Sequence, residues 1–162
     1  MGDDDEIANG VREHGWQAIS VFDWDPPFMY TVGLIDTFSH PEVITFGLQP
    51  PTAQRLLKDF VEGLRQGSRF DVPGVVDDPA FASVVGIKTV HESQYTRYLG
   101  YAMAFARRVD KDLAAVQALW PAKDGKLPFE VGCDEDTHRL QPRLDIPLTQ
   151  SEKEEDRWME DV

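Results

Sequence analysis

The stretch FMYTVGLIDTFSHPEVITFGL, residues 28–48, decides the fold of this chain. Two apolar runs, each ending in Gly-Leu, flank a short polar segment that carries Asp36, His40 and Glu42. This pattern predicts a strand, a loop and a second strand. Rigid strands can hold a loop so that its side chains are presented without being buried unpaired, which is why sites often form there. The loop between these strands is therefore the first candidate site.

Apolar periodicity and turn residues predict the other elements of the chain. Between residues 50 and 67, apolar side chains recur at the spacing of an amphipathic helix, and Gly67 ends it. Gly15 is a suitable C-terminal cap for an earlier, shorter helix. In chain order, the predicted elements are a helix over residues 6–14, strands over 16–22, 28–34 and 43–48, a helix over 50–67, a strand over 84–90, a helix over 93–108 and a strand over 114–120.

The lengths of the connections between these elements predict the topology. The first three strands follow one another through short links, which favours antiparallel pairing. Helices join the third, fourth and fifth strands, and residues 68–83 are expected to be irregular because they contain Pro73, Gly74 and Pro79. We therefore expect a single α+β domain with a mixed, mostly antiparallel sheet of about five strands and both main helices on one face.

The composition is typical of one soluble globular domain. A chain of 162 residues, 41% of them hydrophobic, can bury one core. We expect this domain to span residues 10–149, between a mobile acidic segment over 1–9 and an acidic tail over 150–162. The single cysteine, Cys133, cannot form a disulfide within the chain, which favours the cytoplasm. The sequence predicts neither a signal peptide nor a membrane span.

The formal net charge of -13 bears on the choice of partner. Nucleic acid is disfavoured as a partner, because neutralising phosphates requires the opposite sign of charge. The acidic ends of the chain are explained either as solvated tails or as a surface made for a basic protein. The second explanation gives one functional hypothesis, an acidic interaction protein that neutralises a basic partner.

The segment His40-Pro41-Glu42 is the candidate for catalysis. A histidine can exchange protons near neutral pH, and Glu42 or Asp36 could orient it or act as the base. This combination gives a second functional hypothesis, a hydrolase-type acid–base enzyme. The structural alternative is a stiff turn, in which Pro41 leads into a strand and His40 binds backbone groups.

A third hypothesis, which we favour over the other two, is the binding of a small molecule or a peptide segment near this loop. Tyr30 and Thr31 lie on the strand that leads to the loop and would provide polar contacts. Trp16 and Trp120 would provide walls, with Gln117 as a further polar candidate, although tryptophans in strands are often core residues. No cofactor is predicted, and the oligomeric state stays open.

No metal site is predicted from the histidines and the cysteine. His91-Glu92 begins a pattern that resembles H-E-x-x-H, but the second histidine is missing. Cys133 and His138 are five residues apart, which is a weak signal without further ligands.

Several short strings occur in a fixed order along the chain: Gly15-Trp16, Phe28-Met29-Tyr30-Thr31-Val32-Gly33-Leu34, His40-Pro41-Glu42, Phe46-Gly47-Leu48, Gln117, Trp120-Pro121, Asp124-Gly125, Pro128-Phe129 and Gln141-Pro142. Together they resemble the bacterial family known as domain of unknown function 4262. The resemblance covers roughly residues 10–145, but Ala122 and Phe129 stand where the family usually has Asp and Trp. Because this family carries no known activity, the resemblance implies a one-domain boundary and draws attention to the His-Pro-Glu segment without supplying a reaction.

Overall fold

The computed structural model describes residues 2–154; Met1 and residues 155–162, which make up most of the predicted acidic tail, lie outside the described residues. No helix within residues 2–154 is long and apolar enough to cross a membrane. The helices are α1 (Asp3–His14), α2 (Leu34–Thr37), α3 (Pro50–Arg65), α4 (Tyr95–Tyr98), α5 (Gly100–Arg108) and α6 (Glu135–Leu140). The strands are β1 (Gln17–Val21), β2 (Phe28–Val32), β3 (Glu42–Phe46), β4 (Gly74–Val76), β5 (Val85–Thr89) and β6 (Ala115–Leu119).

The strands form one six-stranded mixed sheet in the order β1-β2-β3-β6-β5-β4. Neighbours pair antiparallel except β3 and β6, which run parallel with Ile44 beside Gln117. Tyr30 of β2 stands between Ile19 of β1 and Ile44 of β3, as short links between the first three strands predict. The expected α+β class is therefore confirmed, with six strands instead of about five.

The two main helices pack on opposite faces of the sheet, so the expectation that both lie on one face is wrong. On one face, Leu57 and Phe60 of α3 pack with Met29 and Val43. On the other face, α1 and α5 cover a cluster centred on Tyr30. The physical reason is that β2, β3 and β6 are buried along their whole length. Strands that are apolar on both faces need a layer of helices on each side.

Two predicted segments also differ in detail. Gly74 and its neighbours form β4, a short strand that pairs with β5, within the stretch expected to be irregular. The predicted helix over residues 93–108 is a turn of 3-10 helix followed by α4 and α5, which are separated at Leu99. Leu99 has φ -117° and ψ 37°, which is outside the helical range and interrupts the run before Gly100.

Helix α1 begins at Asp3, where the sequence predicted a mobile segment over residues 1–9. Ile7 and Ala8 of this segment are buried, so it is part of the folded domain. The acidic residues of the first turn suit the positive end of the helix dipole. Gly15 ends α1 in the left-handed conformation, as its position in the sequence predicted.

Candidate functional site

Glu42, at the start of β3, has a buried carboxylate that is surrounded by hydrogen-bond donors of the protein. Its Oε1 accepts hydrogen bonds from the Thr31 hydroxyl at 2.8 Å and from the Leu34 amide at 3.1 Å. Its Oε2 accepts from the Gly33 amide at 2.8 Å and from the Ile35 amide at 3.4 Å. The carboxylate therefore binds the first turn of α2 and joins the end of β2 to β3.

The turn between β2 and α2 requires a glycine at position 33. Gly33 has φ +114°, in the region that other residues rarely adopt. A Cβ atom at this position would lie 2.8 Å from a methyl carbon of Val11 in α1. Without a side chain, the backbone can turn closely enough for successive amides to point at Glu42.

Two opposing effects act on the ionisation of Glu42. Burial is the larger effect and raises the pKa of the Glu42 carboxyl to about 7. The hydrogen bonds from Thr31 and from the three backbone amides act in the opposite direction, because they stabilise the ionised form. A carboxyl whose charge changes near neutral pH thus lies inside the fold, out of reach of a ligand in solvent.

The His40 imidazole is also in the interior, with 1% of the residue exposed. Its Nδ1 donates to the carbonyl of Pro41 at 2.7 Å, and its Nε2 accepts from the Phe70 amide at 3.0 Å. These partners fix the neutral tautomer that carries its proton on Nδ1. Burial lowers the pKa of His40. This geometry favours a structural role, because neither ring nitrogen is left for proton transfer with a substrate.

Asp36, the third ionisable group of the loop, points away from this interior. It lies on α2 and its carboxylate forms an ion pair with Lys111 Nζ at 2.8 Å, where both side chains are 42% exposed. Within residues 2–154, no hydrogen bond or ion pair joins Asp36, His40 or Glu42 to one another. Acid–base catalysis by these residues stays a prediction, and the structure does not bring the proposed partners together.

Two predicted ligand contacts, Tyr30 and Gln117, are occupied within the core. The Tyr30 hydroxyl accepts from the Tyr101 amide at 3.2 Å, which fixes the start of α5 against β2. The Gln117 amide donates to the carbonyl of Pro142 at 2.7 Å and accepts from the Leu144 amide at 3.0 Å. Gln117 thereby holds the C-terminal segment against β6, and neither side chain is available to a ligand.

Trp16 and Trp120 line separate clefts instead of one pocket. Trp120 lies beside a cleft of about 530 Å³ with Asp124 and Asp134, and its indole N–H donates to the carbonyl of Phe46 at 2.7 Å. Trp16 lies in a larger cleft of about 640 Å³ between the end of α1, the start of β1 and one side of α3. We call this second site the Trp16 cleft; its polar lining consists of Glu13, His14, Trp16, Gln17, Gln54, Lys58 and Arg65.

The Trp16 cleft presents several donors to which no described residue offers an acceptor. The Trp16 indole N–H, the Gln54 amide and the Lys58 ammonium have no hydrogen-bond partner within residues 2–154. Arg65 donates to the carbonyl of His14 at 3.1 Å with one nitrogen and forms no ion pair in the described part of the chain. Unpaired donors beside an aromatic ring are suited to a ligand with a negative charge or several acceptor atoms.

Sequence reasoning identified Trp16 but missed Gln54, Lys58 and Arg65. These three residues lie on the exposed side of the amphipathic helix α3, which looks like any solvated helix surface. Only the packing of α3 beside β1 shows that they face a common cleft. No signal in the sequence could have indicated this, because it depends on which side of the sheet receives α3.

Within residues 2–154, no group of three or more His, Cys, Asp or Glu side chains is arranged to hold a metal ion. Comparison with protein families matches residues 10–134 to a family described as a domain of unknown function (DUF4262). No curated protein matches the chain, and no solved structure matches it. The family match covers well over half of the 162 residues, and the chain therefore belongs to this family.

Proposed function

We propose that this member of the family is a binding domain whose ligand, a small molecule or a peptide with a negative charge, lies in the Trp16 cleft. The observation that carries the proposal is the set of unpaired donors around the Trp16 indole. Lys58 is the central member of this set, since its ammonium group forms no ion pair within residues 2–154 although the chain is rich in acids. A carboxylate on Lys58 would supply the missing partner.

The size and lining of the cleft restrict the ligand further. A cavity of about 640 Å³ falls within the range of small-molecule sites, which is roughly 300–1,000 Å³. The Trp16 ring offers a flat apolar surface, whereas Gln54, Lys58 and Arg65 offer donors on the α3 side. Glu13 also lines the cleft, at the end of α1, so the carboxylate of a planar or extended ligand fits on the α3 side, beside Lys58 and Arg65.

Benzoate is a suitable first probe, because it joins a flat ring to one carboxylate. At about 0.3 kcal/mol for each of its non-hydrogen atoms, its expected Kd is on the order of 10 mM. In an NMR titration of the ¹⁵N-labelled chain, the Trp16 indole resonance, assigned with Trp16→Phe, should shift with benzoate and shift less with neutral benzamide. Lys58→Ala should weaken binding by about fivefold, the effect of losing one partly exposed ion pair.

Lys123→Ala is the matched control, because Lys123 lines the separate cleft beside Trp120. It should leave the benzoate affinity at the Trp16 cleft unchanged. The proposal is wrong if the resonances around Trp16 do not respond to benzoate, or if Lys58→Ala and Lys123→Ala weaken the response equally.

A further inference from the structure

We infer that the ligand of the Trp16 cleft is an extended peptide segment that joins the sheet along the free edge of β1 and sets a carboxylate against Lys58. The inference rests on the proposed function, since it places the ligand in the same cleft, and it adds the class of ligand and the mode of binding. Three features of the described chain support it: the exposure of β1, the path of the cleft, and the charges beside it.

Among residues 2–154, strand β1 is an end strand of the sheet and pairs only with β2. Its residues are half-buried or exposed along the whole strand, whereas every residue of β2, β3 and β6 is buried. An antiparallel neighbour uses the backbone N–H and C=O groups of alternate residues, so the others point outward from the edge. A row of such groups is a template for one more strand.

The Trp16 cleft follows this edge instead of lying on one face of the sheet. Trp16 and Ala18 pack on the side of the sheet that α3 covers. Gln17 packs on the opposite side, against Gly10 of α1. All three of these consecutive residues line the cleft. A cleft that touches both faces of one strand must run along the edge of that strand, because successive side chains point to opposite faces.

Edge strands of soluble proteins usually carry features that prevent pairing, and β1 has none of them. Its sequence, QAISV, contains no charge, no proline and no glycine. The strand at the other end of the sheet, β4, spans three residues, follows Pro73 and begins with a glycine at φ +152°. Short length, proline and irregular backbone are common protective features. The sheet is thus protected at β4 and open at β1.

The side chains around the cleft select the type of peptide. An added strand points alternate side chains toward α3 and toward α1. On the α3 side it meets Lys58, Arg65 and the Trp16 ring, so an acidic residue fits there. A second copy of β1 would bring no acid to Lys58, because QAISV contains none. The net charge of -13 also repels a second copy or a highly acidic partner, which favours a peptide with few acids.

The test uses the full chain and a designed peptide, fluorescein-Thr-Glu-Val-Glu-Val-Thr-amide, with binding followed by fluorescence anisotropy at about 150 mM NaCl. Lys58→Glu should weaken binding by at least about tenfold, since it replaces an attraction by a repulsion. Lys123→Glu, which makes the same change of charge at the cleft beside Trp120, should leave the Kd unchanged. A peptide with Lys in place of both Glu residues should reverse the preference and bind the Lys58→Glu chain more tightly.

A second pair of peptides tests strand addition itself. Methyl groups on the peptide nitrogens of one edge block hydrogen bonding along that edge, and methylation of the opposite edge leaves it free. One of the two methylated peptides should lose binding and the other should keep it. Equal binding by the two methylated peptides would contradict strand addition. A free chain that sediments as a dimer, and whose dimer forms through β1, would also contradict it.

The benzoate titration separates failure of this inference from failure of the proposed function. If benzoate shifts the Trp16 resonance but no peptide binds, the cleft takes a small anion and the inference is wrong. If neither probe binds, both proposals are wrong. If the acidic peptide binds equally to the wild-type and Lys58→Glu chains, the predicted contact with Lys58 is wrong.

Discussion

Glu42 accepts hydrogen bonds from four donors although its side chain has no access to solvent. In Glu42→Gln, one oxygen would remain as an acceptor, whereas the amide nitrogen cannot accept a hydrogen bond as the second carboxyl oxygen can, even when the carboxyl is protonated. The variant should lose about 1–3 kcal/mol of unfolding free energy near pH 5, the cost of leaving buried donors unsatisfied. Urea denaturation of both chains followed by circular dichroism measures this difference.

The pH dependence of that loss follows from the raised pKa of Glu42. Between its ordinary value of 4.5 and about 7, the folded state binds more protons at this carboxyl than the unfolded state does. The wild-type stability contributed by Glu42 therefore falls as pH rises through this window, by about 1.4 kcal/mol per pH unit at most. The difference in unfolding free energy between the wild-type and Glu42→Gln chains should therefore become smaller from pH 5 to pH 7. If the unfolding free energy lost in Glu42→Gln instead grew from pH 5 to pH 7, the four hydrogen bonds would lower the pKa of Glu42 by more than burial raises it.

The occupied ring nitrogens of His40 predict a loss of stability on substitution. His40→Ala leaves a cavity and an unpaired Phe70 amide, so we expect the unfolding free energy to drop by roughly 2–4 kcal/mol. His14→Ala is the control, because the His14 side chain is 68% exposed, and it should change stability by less than about 0.5 kcal/mol. Equal melting temperatures for the wild-type and His40→Ala chains would revive the acid–base hypothesis.

At this same scale, the sequence identifies the His-Pro-Glu segment but not its role. Charged and aromatic side chains near a turn are found both in catalytic sites and in buried networks. The distinction depends on burial and packing: the Gly33 turn, whose amide donates to Glu42, packs against Val11 of α1, which is far from Glu42 in the sequence. No local pattern reports such a contact, so Tyr30, His40 and Glu42 could be noticed from sequence but not assigned.

At the scale of elements, apolar periodicity predicted most strands and the helix α3 within a few residues. It did not predict β4, because Pro73 and Gly74 are typical of irregular segments, although residues 74–76 pair with β5. It also failed for the side on which each helix packs, although the nearly continuous apolar character of β2, in which Thr31 is the exception, was itself a signal for helices on both faces. Which strand lies at an edge is a property of pairing, so the open edge of β1 could not be predicted.

At the scale of the whole molecule, repulsion among like charges opposes the compact folded state. The net charge is -13, and the ion pairs Arg108–Asp5 and Lys111–Asp36 are partly exposed and contribute little. Repulsion among the remaining acids destabilises the folded state at low ionic strength. The same field opposes the approach of an anionic ligand, so Lys58 attracts such a ligand only within about a Debye length of the cleft.

Screening should therefore stabilise the chain. Raising NaCl from about 10 mM to about 300 mM shortens the Debye length from roughly 30 Å to below 10 Å and should raise the melting temperature by about 2–4 °C. Calorimetry at both salt concentrations measures this change. Asp112 and Glu130 are exposed and form no described ion pair, so Asp112→Lys with Glu130→Lys should reduce the rise by lowering the net charge. A melting temperature that falls with salt would mean that ion pairs, and not repulsion, dominate the electrostatics of the fold.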